Sequence, residues 1–222
     1  MEERFSRIKS LLGDDAFKKL ESAKVAIVGL GGVGATAATA LARSGLGNLI
    51  ILDFDKVNES NINRQLLAFS STLGKYKTDV LSDIIYDINP SCKVTKLTEK
   101  FNEESLLFNY EFDYLIDAID SVNDKLLLIK KCQDNKKCFI SSMGTAKKMD
   151  IKKLDIMKLS KTSYDPLAKV IRKKAKELNL KDFYCLASTE EPAEIDTLGS
   201  YMPVTSAAGL LLADYIIKMI IK

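Results

Sequence analysis

The 222-residue chain is 46% hydrophobic and 28% charged, which excludes disordered and fibrous proteins. It contains no histidine, so Ser-His-Asp and Cys-His catalytic sites and every histidine-ligated metal are excluded as well. The net charge of +3 conceals a basic segment, because residues 147–181 hold twelve Lys/Arg against four Asp/Glu, a local +8 that leaves −5 for the remainder. Such a segment indicates an anionic partner.

Short β-branched runs alternate with helical patterns through the first two thirds of the chain. The predicted strands cover residues 24–29, 48–55, 92–97, 113–120 and 138–143. The predicted helices cover residues 33–44, 75–88, 103–108 and 123–134. This alternation favours an α/β fold of the Rossmann-like, doubly wound type with a mainly parallel sheet.

The pattern changes after Gly144. Residues 147–162 alternate charged and apolar side chains as a pair of strands would, and a basic helix is predicted over 164–180, beginning at Asp165-Pro166. A strand at 183–189 and an acidic turn at 189–196 lead to an apolar helix over 207–221. This helix is shorter than the roughly 20 residues of a membrane span, so we expect no membrane insertion.

The chain shows no linker or internal repeat that would separate independent domains. We therefore expect a single domain with a nucleotide-binding core (1–144) and an extended, substrate-facing C-terminal portion (145–222). The four cysteines form no C-x-x-C pair, and residues 1–10 are too polar for a secretory signal. These features predict a reduced, cytoplasmic protein without a zinc ribbon, and Cys185 is expected to be a buried apolar residue rather than a nucleophile.

A glycine-rich sequence, GLGGVG (29–34), stands between the first strand and the first helix of the alternation. The first glycine permits a tight turn, the second lets the backbone approach a phosphate, and the last lets the helix pack on the strand. Gly29, Gly31, Gly32 and Gly34 therefore form a predicted nucleotide loop. Asp53, about 20 residues further on at a strand end, is placed to bind a ribose.

A run of polar residues follows Asp53 and includes Asp55, Asn61, Arg64 and Lys77. Hydride transfer does not require these groups, whereas an enzyme that binds a triphosphate and stabilises charge on it does. The arginine offers a bidentate fork to phosphate oxygens, and the lysine offers a compact ammonium. The simpler interpretation leaves the lysines solvated and the asparagines as turn caps.

Two acids, Asp117 and Asp120, lie at the end of the fourth predicted strand. Ligands of open α/β sheets bind at the carboxyl ends of the strands, and a carboxylate there can hold Mg²⁺ that bridges phosphates. Asp120 is the predicted metal ligand and Asp117 a supporting one. The alternative, an aspartate that caps the next helix, fits Asp120 equally well.

Taken together, these motifs resemble the ubiquitin-activating-enzyme-like (ThiF-type) superfamily of ATP-dependent carboxylate-adenylating enzymes. The matching segments are 4–7, 29–34, 52–65, 74–77, 88–90 and 117–120. The resemblance implies ATP and Mg²⁺ as cofactors, with Asp53 at the ribose, Arg64 and Lys77 at the phosphates and Asp120 at the magnesium. It also implies a homodimer in which Arg7 reaches the ATP site of the partner subunit.

Two branches of this superfamily compete as interpretations. Segments 141–150, 162–177, 188–192 and 198–210 resemble tRNA-modifying dehydratases, which cyclise threonylcarbamoyladenosine beside the anticodon in an ATP-dependent reaction. The basic segment then contacts tRNA. The candidate tRNA-binding residues are Lys147, Lys148, Lys152, Lys153, Arg172, Lys173, Lys174 and Lys176. The alternative activity is that of an adenylyltransferase that activates the C-terminal glycine of a ubiquitin-like sulfur carrier. The alternative for the basic segment is a solvent-exposed face that binds no partner. A sulfur-transfer protein is a further partner that the sequence leaves open.

Overall fold

The computed structural model of the protein describes residues 3–222 and is built on one seven-stranded sheet. The strands are β1 (Lys24–Val28), β2 (Asn48–Leu52), β3 (Lys93–Leu97), β4 (Tyr114–Asp117), β5 (Cys138–Ser142), β6 (Leu154–Lys158) and β7 (Tyr184–Ser188). Their order is β3-β2-β1-β4-β5-β7-β6, and every pairing is parallel except that of β6 with β7. The predicted mainly parallel sheet is confirmed.

Helices cover both faces of this sheet, as expected for a doubly wound fold. They are α1 (Ser6–Leu12), α2 (Asp14–Ser22), α3 (Gly32–Arg43), α4 (Lys77–Ile88), α5 (Val122–Asp134), α6 (Pro166–Glu177) and α7 (Met202–Ile221). Short 3-10 turns occur at Glu59–Asn61, Ser70–Thr72, Leu106–Asn109, Ile151–Lys153 and Leu159–Lys161.

Alternate residues of the central strands enter two different cores. Val25 and Ile27 of β1 pack with α3, α4 and α7, whereas Ala26 and Val28 pack with α5 on the opposite face. Side chains of a strand alternate between the two faces of a sheet, so a strand buried on both faces must be apolar throughout. This explains why the central strands are uninterrupted apolar runs.

The helix α7 packs along α3 and closes the larger core. It is 20 residues long and apolar enough to cross a membrane by length and composition, and 44% of its most apolar window is buried. Val204, Ala208, Leu212 and Ile216 recur at helical spacing on its buried side. Gly209 lies against α3, where an added Cβ would stand 2.4 Å from the Val33 carbonyl oxygen. Packing against α3 therefore accounts for the apolar character of this helix.

Several predicted elements differ from the structure. The helix predicted over 103–108 is a 3-10 turn at Leu106–Asn109, and the predicted strand pair over 147–162 is wrong, since only β6 forms there. The final helix begins at Met202, five residues before the expected start, because Pro203 occupies its first turn, where proline needs no amide hydrogen bond. α1 and α2 were not predicted.

Candidate active site

Three loops meet where β1, β2 and β4 end, which we call the carboxyl edge of the sheet. Val28, the last residue of β1, pairs with Leu52 of β2 on one side and with Asp117 of β4 on the other. The glycine loop, the acidic loop after β2 and the loop bearing Asp120 therefore begin side by side. The three motifs therefore converge at one edge of the sheet.

The glycine loop has the conformation that its sequence indicates. Gly29 has a φ of +91°, and an added Cβ there would lie 2.6 Å from the carbonyl oxygen of Ala118. An added Cβ at Gly34 would lie 1.9 Å from the Gly29 carbonyl oxygen. Side chains at these positions are excluded, and α3 begins at Gly32 with its first amide groups at the carboxyl edge. Such a helix start binds anionic oxygens.

Asp53 connects the glycine loop to the loop after β2. Its Oδ2 accepts a hydrogen bond from the Leu30 amide at 2.6 Å, and its Oδ1 accepts one from the Asp55 amide at 2.8 Å. Burial raises the pKa of the Asp53 carboxyl, while the Lys77 charge and the two amides oppose that rise. Each oxygen retains a further acceptor site, so the carboxylate can still bind the hydroxyl groups of a ribose.

Lys77 and Asp55 form an ion pair at the start of α4. The Lys77 Nζ lies 2.7 Å from Asp55 Oδ2; the lysine side chain is 5% exposed and the aspartate side chain 46%. Asp55 and Lys77 were each predicted to bind the nucleotide, and in the structure they also contact each other. The ammonium has two more protons to donate, which leaves it able to bind a phosphate oxygen.

The polar segment after Asp55 lies over the glycine loop. An added Cβ at Gly32 would stand 2.5 Å from the Arg64 carbonyl oxygen, which also accepts a hydrogen bond from Thr205 Oγ1 at 3.1 Å. The Arg64 Nη1 donates to the Ser60 carbonyl oxygen at 2.5 Å. Asn61 is buried and its Oδ1 accepts from the Asn58 amide at 3.2 Å, so it caps the 3-10 turn in this structure.

Gln65 also lies at the carboxyl edge, and no role was predicted for it. It is buried beside the glycine loop, with its Nε2 3.9 Å from the position of a Cβ added at Gly31. Its Oε1 is buried without a hydrogen-bond partner among residues 3–222. A buried carbonyl acceptor of this kind ordinarily has a donor, and none of the described residues supplies one here. Its only sequence signal was its place directly after Arg64.

Asp117 does not support a metal, which corrects the prediction. Its side chain is fully buried, and its Oδ2 lies 2.7 Å from Lys125 Nζ and accepts from Ser141 Oγ at 2.6 Å. Its Oδ1 accepts from the Ile119 amide at 3.0 Å. These contacts bind the carboxylate inside the protein, and the sequence did not predict Lys125 as its partner.

Asp120 is exposed on the loop that Asp117 holds. Within residues 3–222 no three acidic or cysteine side chains cluster as a metal site would. Mg²⁺ at triphosphate sites commonly uses one or two carboxylates and takes its other ligands from phosphates and water. A single exposed carboxylate beside the glycine loop fits that mode of binding.

The candidate tRNA-binding residues do not share one environment. Lys152, Lys153, Lys173 and Lys176 are exposed, whereas Lys147 and Lys174 are partly buried. Two members do not match the expected surface role. Lys148 is 2% exposed and its Nζ donates to backbone carbonyl oxygens, and the Arg172 Nη1 donates to the Thr162 carbonyl oxygen at 3.0 Å. Both side chains donate to backbone carbonyl oxygens, so their cations are less available to tRNA than those of the exposed lysines.

The cysteines have the environment of inert thiols. Cys92, Cys132 and Cys185 are buried, and Cys138 is partly buried. Burial raises the pKa of all four thiols, to about 11 for Cys92 and about 12 for Cys185. A thiol is a nucleophile only as the thiolate, so none of these four cysteines is activated. The expected burial of Cys185 is confirmed.

Comparison with known proteins identifies a family for this chain, one group of similar proteins and a more distant group. The model of the ThiF family matches residues 5–222. The tRNA threonylcarbamoyladenosine dehydratase of Bacillus subtilis is 37% identical in a match that covers 99% of this chain and 95% of that protein. A molybdopterin-synthase adenylyltransferase of Haemophilus influenzae is more distant, at 30% identity over 94% of this chain and 79% of its own length.

A solved structure shares the whole architecture. The crystal structure of the Escherichia coli tRNA N6-threonylcarbamoyladenosine dehydratase in complex with ATP superimposes with a TM-score of 0.93 and 31% sequence identity. The match covers 99% of this chain and 94% of that chain. The similarity therefore includes the portion after Gly144 as well as the nucleotide loops.

Proposed function

Since the chain belongs to the ThiF family, we propose that it catalyses the ATP-dependent dehydration of threonylcarbamoyladenosine in tRNA. One observation carries this assignment: the similarity to a dehydratase covers 99% of the chain at 37% identity, and a dehydratase structure superimposes on the chain with a TM-score of 0.93. The adenylyltransferase alternative rests on a lower identity.

The chemistry begins with a carboxylate that is a poor electrophile, because its leaving group would be oxide. Attack of the threonyl carboxylate on the α-phosphorus of ATP forms an acyl-adenylate and releases pyrophosphate. A nitrogen or oxygen of the neighbouring carbamoyl group then attacks the acyl carbon, closes a five-membered ring and releases AMP. This step is intramolecular, so it has a high effective molarity and requires no nucleophile from the enzyme.

The residues at the carboxyl edge suit the first of these steps. Asp53 holds the ribose, and the amide groups at the start of α3 hold phosphate oxygens. Arg64 and Lys77 supply cations against the charge that develops on the phosphates, the lysine held in place by Asp55. Bound Mg²⁺ would neutralise phosphate charge, and the exposed carboxylate of Asp120 would hold it.

The proposal includes a homodimer and a cytoplasmic setting. Arg7 lies exposed on α1, and its side chain makes no hydrogen bond or ion pair with residues 3–222, which leaves the guanidinium available to the partner subunit. The absence of disulfides among four largely buried thiols suits a reducing compartment. A sulfur-transfer protein as an additional partner is a further proposal, and co-purification with the protein would test it.

The deciding experiment incubates the protein with ATP, Mg²⁺ and tRNA that carries linear threonylcarbamoyladenosine. Mass spectrometry of the nucleosides is expected to show the loss of one water, together with equal amounts of AMP and pyrophosphate. An unchanged nucleoside contradicts the proposal. Pyrophosphate exchange that depends instead on a peptide ending in Gly-Gly would support the adenylyltransferase alternative.

A further inference from the structure

A groove of about 390 Å³ lies between α5 and α6 on the surface of the protein. Three leucines give it an apolar lining, with Leu126 and Leu127 on α5 and Leu178 at the end of α6. Leu126 is buried among side chains of α6, whereas Leu178 is 50% exposed, so part of this apolar lining is open to solvent. Pockets of this size hold small ligands, and the groove can therefore hold one ring system of a larger molecule.

Two lysines also line the groove. On α5, the Lys130 Nζ lies 2.5 Å from Asp134 Oδ2. On α6, the Lys174 Nζ donates to Asn123 Oδ1 at 3.2 Å and so links the two helices. Each ammonium group has three protons, so both lysines retain donors for an anion.

The charge of α6 favours an anionic ligand in this groove. The helix carries five Lys/Arg against one Glu, a net charge of +4. Single-stranded RNA combines anionic phosphates with bases whose faces pack on apolar and aromatic side chains. An apolar groove with lysines along it is complementary to both parts, and its positive charge favours RNA over a neutral peptide.

The groove begins at the carboxyl edge of the sheet. Asn123, which lines it, stands in the first turn of α5, three residues after Asp120. The other lining residues of α5 follow three, four and seven positions further on, at Leu126, Leu127 and Lys130, and so share one side of the helix. The groove therefore extends about 10 Å along α5, away from Asp120.

A backbone contact joins this end of the groove to the glycine loop. Ala118 lies on the loop that bears Asp120, and a Cβ added to Gly29 would stand 2.6 Å from its carbonyl oxygen. Asn123 follows Ala118 by five residues. An RNA whose modified base is activated at the nucleotide site thus has the start of the groove beside it, within reach of the next nucleotide.

We propose that this groove binds an unpaired base of the anticodon loop that neighbours the threonylcarbamoyladenosine, an inference that rests on the proposed function. The faces of this base pack on Leu127 and Leu178. The adjoining phosphates are bound by Lys130 and Lys174. Glu177, which also lines the groove, can accept a hydrogen bond from an amino group of the base. A neighbouring base held in this way fixes the orientation of the modified one at the nucleotide site.

The first test removes the apolar contact with the variant Leu178→Ala. We expect it to weaken binding of an anticodon stem-loop that carries the modification by about 5-fold or more, because the apolar area that the base covers is lost. Leu210→Ala on α7 is the matched control, since the two leucines are 50% and 53% exposed, and it should bind as the wild-type protein does. Fluorescence anisotropy measures the affinity, and circular dichroism checks the fold of each variant.

The second test identifies the base by using stem-loops in which one loop nucleotide at a time lacks its base. At one position the abasic RNA should bind the wild-type protein more weakly and no longer respond to Leu178→Ala, because both changes remove the same contact. Lys130→Ala should instead weaken every RNA and make its binding less dependent on salt. Lys218→Ala is the control, because each lysine pairs with an aspartate four residues away on its own helix.

Wild-type affinity of the folded Leu178→Ala variant overturns the proposal, as does a loss of affinity that persists with every abasic RNA. A variant that binds RNA normally but no longer binds a sulfur-transfer protein assigns the groove to a protein partner and also overturns it. In both cases dehydration by the wild-type protein leaves the proposed function intact. If the wild-type protein removes no water from modified tRNA, the proposed function itself fails, so the two failures are distinguishable.

Discussion

Lys125 and Asp117 form an ion pair in which both side chains are fully buried, with Nζ 2.7 Å from Oδ2. Ser141 Oγ donates to the same carboxylate oxygen, and the Ile119 amide donates to the other. The pair therefore fixes the start of the loop that leads to Asp120. In this position the Ala118 backbone of that loop packs against Gly29 of the glycine loop. A structural ion pair beneath the surface thus positions a surface residue of the site.

Removing one member of this pair should destabilise the fold. Lys125→Met leaves the buried Asp117 carboxylate without its counter-ion, for which we expect a loss of about 3–5 kcal/mol in the free energy of unfolding. Urea denaturation followed by circular dichroism measures it. The matched variant Lys125→Arg keeps the charge and should lose less. A change below about 1 kcal/mol for Lys125→Met would show that the pair contributes little.

Asp120→Asn should alter the response to magnesium more than the binding of ATP. The amide removes the charge at the proposed metal position, while Asp53 and the glycine loop remain intact. Titration of pyrophosphate release with Mg²⁺ should show a higher half-saturation concentration. Asp134→Asn, a surface aspartate that pairs with Lys130, is the control. Identical magnesium curves for Asp120→Asn and the wild-type protein would remove Asp120 as the metal residue.

Lys77 and Lys75 lie two residues apart and differ in environment, which gives a matched pair. Lys77 is buried beside Asp55, whereas Lys75 is exposed. We expect Lys77→Met to reduce the rate of pyrophosphate release by about 100-fold or more, as when an enzyme loses one stabilising donor of the transition state. Lys75→Met should leave that rate almost unchanged. Equal rates in the two variants would contradict a role for Lys77 at the phosphates.

The exposed lysines of the basic segment should determine the salt dependence of tRNA binding. Alanine at Lys152, Lys153, Lys173 and Lys176 together removes four cations from the surface. Affinity for tRNA at low salt should fall, and the slope of log affinity against log salt should become shallower by about 0.7–0.9 for each phosphate that no longer meets a lysine. Filter binding at several salt concentrations measures both.

The control for that experiment changes the same number of exposed lysines elsewhere. These are Lys18, Lys93, Lys100 and Lys136. Net charge then falls equally in the two proteins, so only the position of the cations differs. An equal fall in affinity would show that tRNA responds to net charge alone and not to the basic segment.

Mixing two inactive variants tests whether Arg7 acts across a dimer. Arg7→Ala has an intact nucleotide site but no arginine to donate, and Lys77→Met has the arginine but a defective site. After unfolding and refolding together, mixed dimers should recover up to about one quarter of wild-type activity, because half of the dimers are mixed and each has one complete site. No recovery in a mixture that forms dimers would place Arg7 outside the partner's site.

The nucleotide loops were accessible to sequence reasoning because their signals are local. Gly29 has a positive φ and Gly34 packs against the Gly29 carbonyl, so both glycines are required by the geometry of the loop itself. The β-α alternation is likewise visible in short apolar periods. The strand predicted near Lys147 failed because alternation of charged and apolar residues resembles a strand even when the chain follows an irregular path. There the backbone is determined by long-range contacts, such as that of Lys148 with Glu190.

The amino-acid sequence was thus sufficient for the α/β class, the nucleotide loop and the choice of Asp53, Arg64 and Lys77 as candidates. Which charges face a ligand and which face each other became clear only in the folded molecule. Asp117 and Asp120 stand three residues apart in one motif, yet one is buried against Lys125 and the other is exposed. Burial and pairing depend on side chains from distant elements, because desolvation makes an unpaired buried charge costly and only the fold can supply its partner.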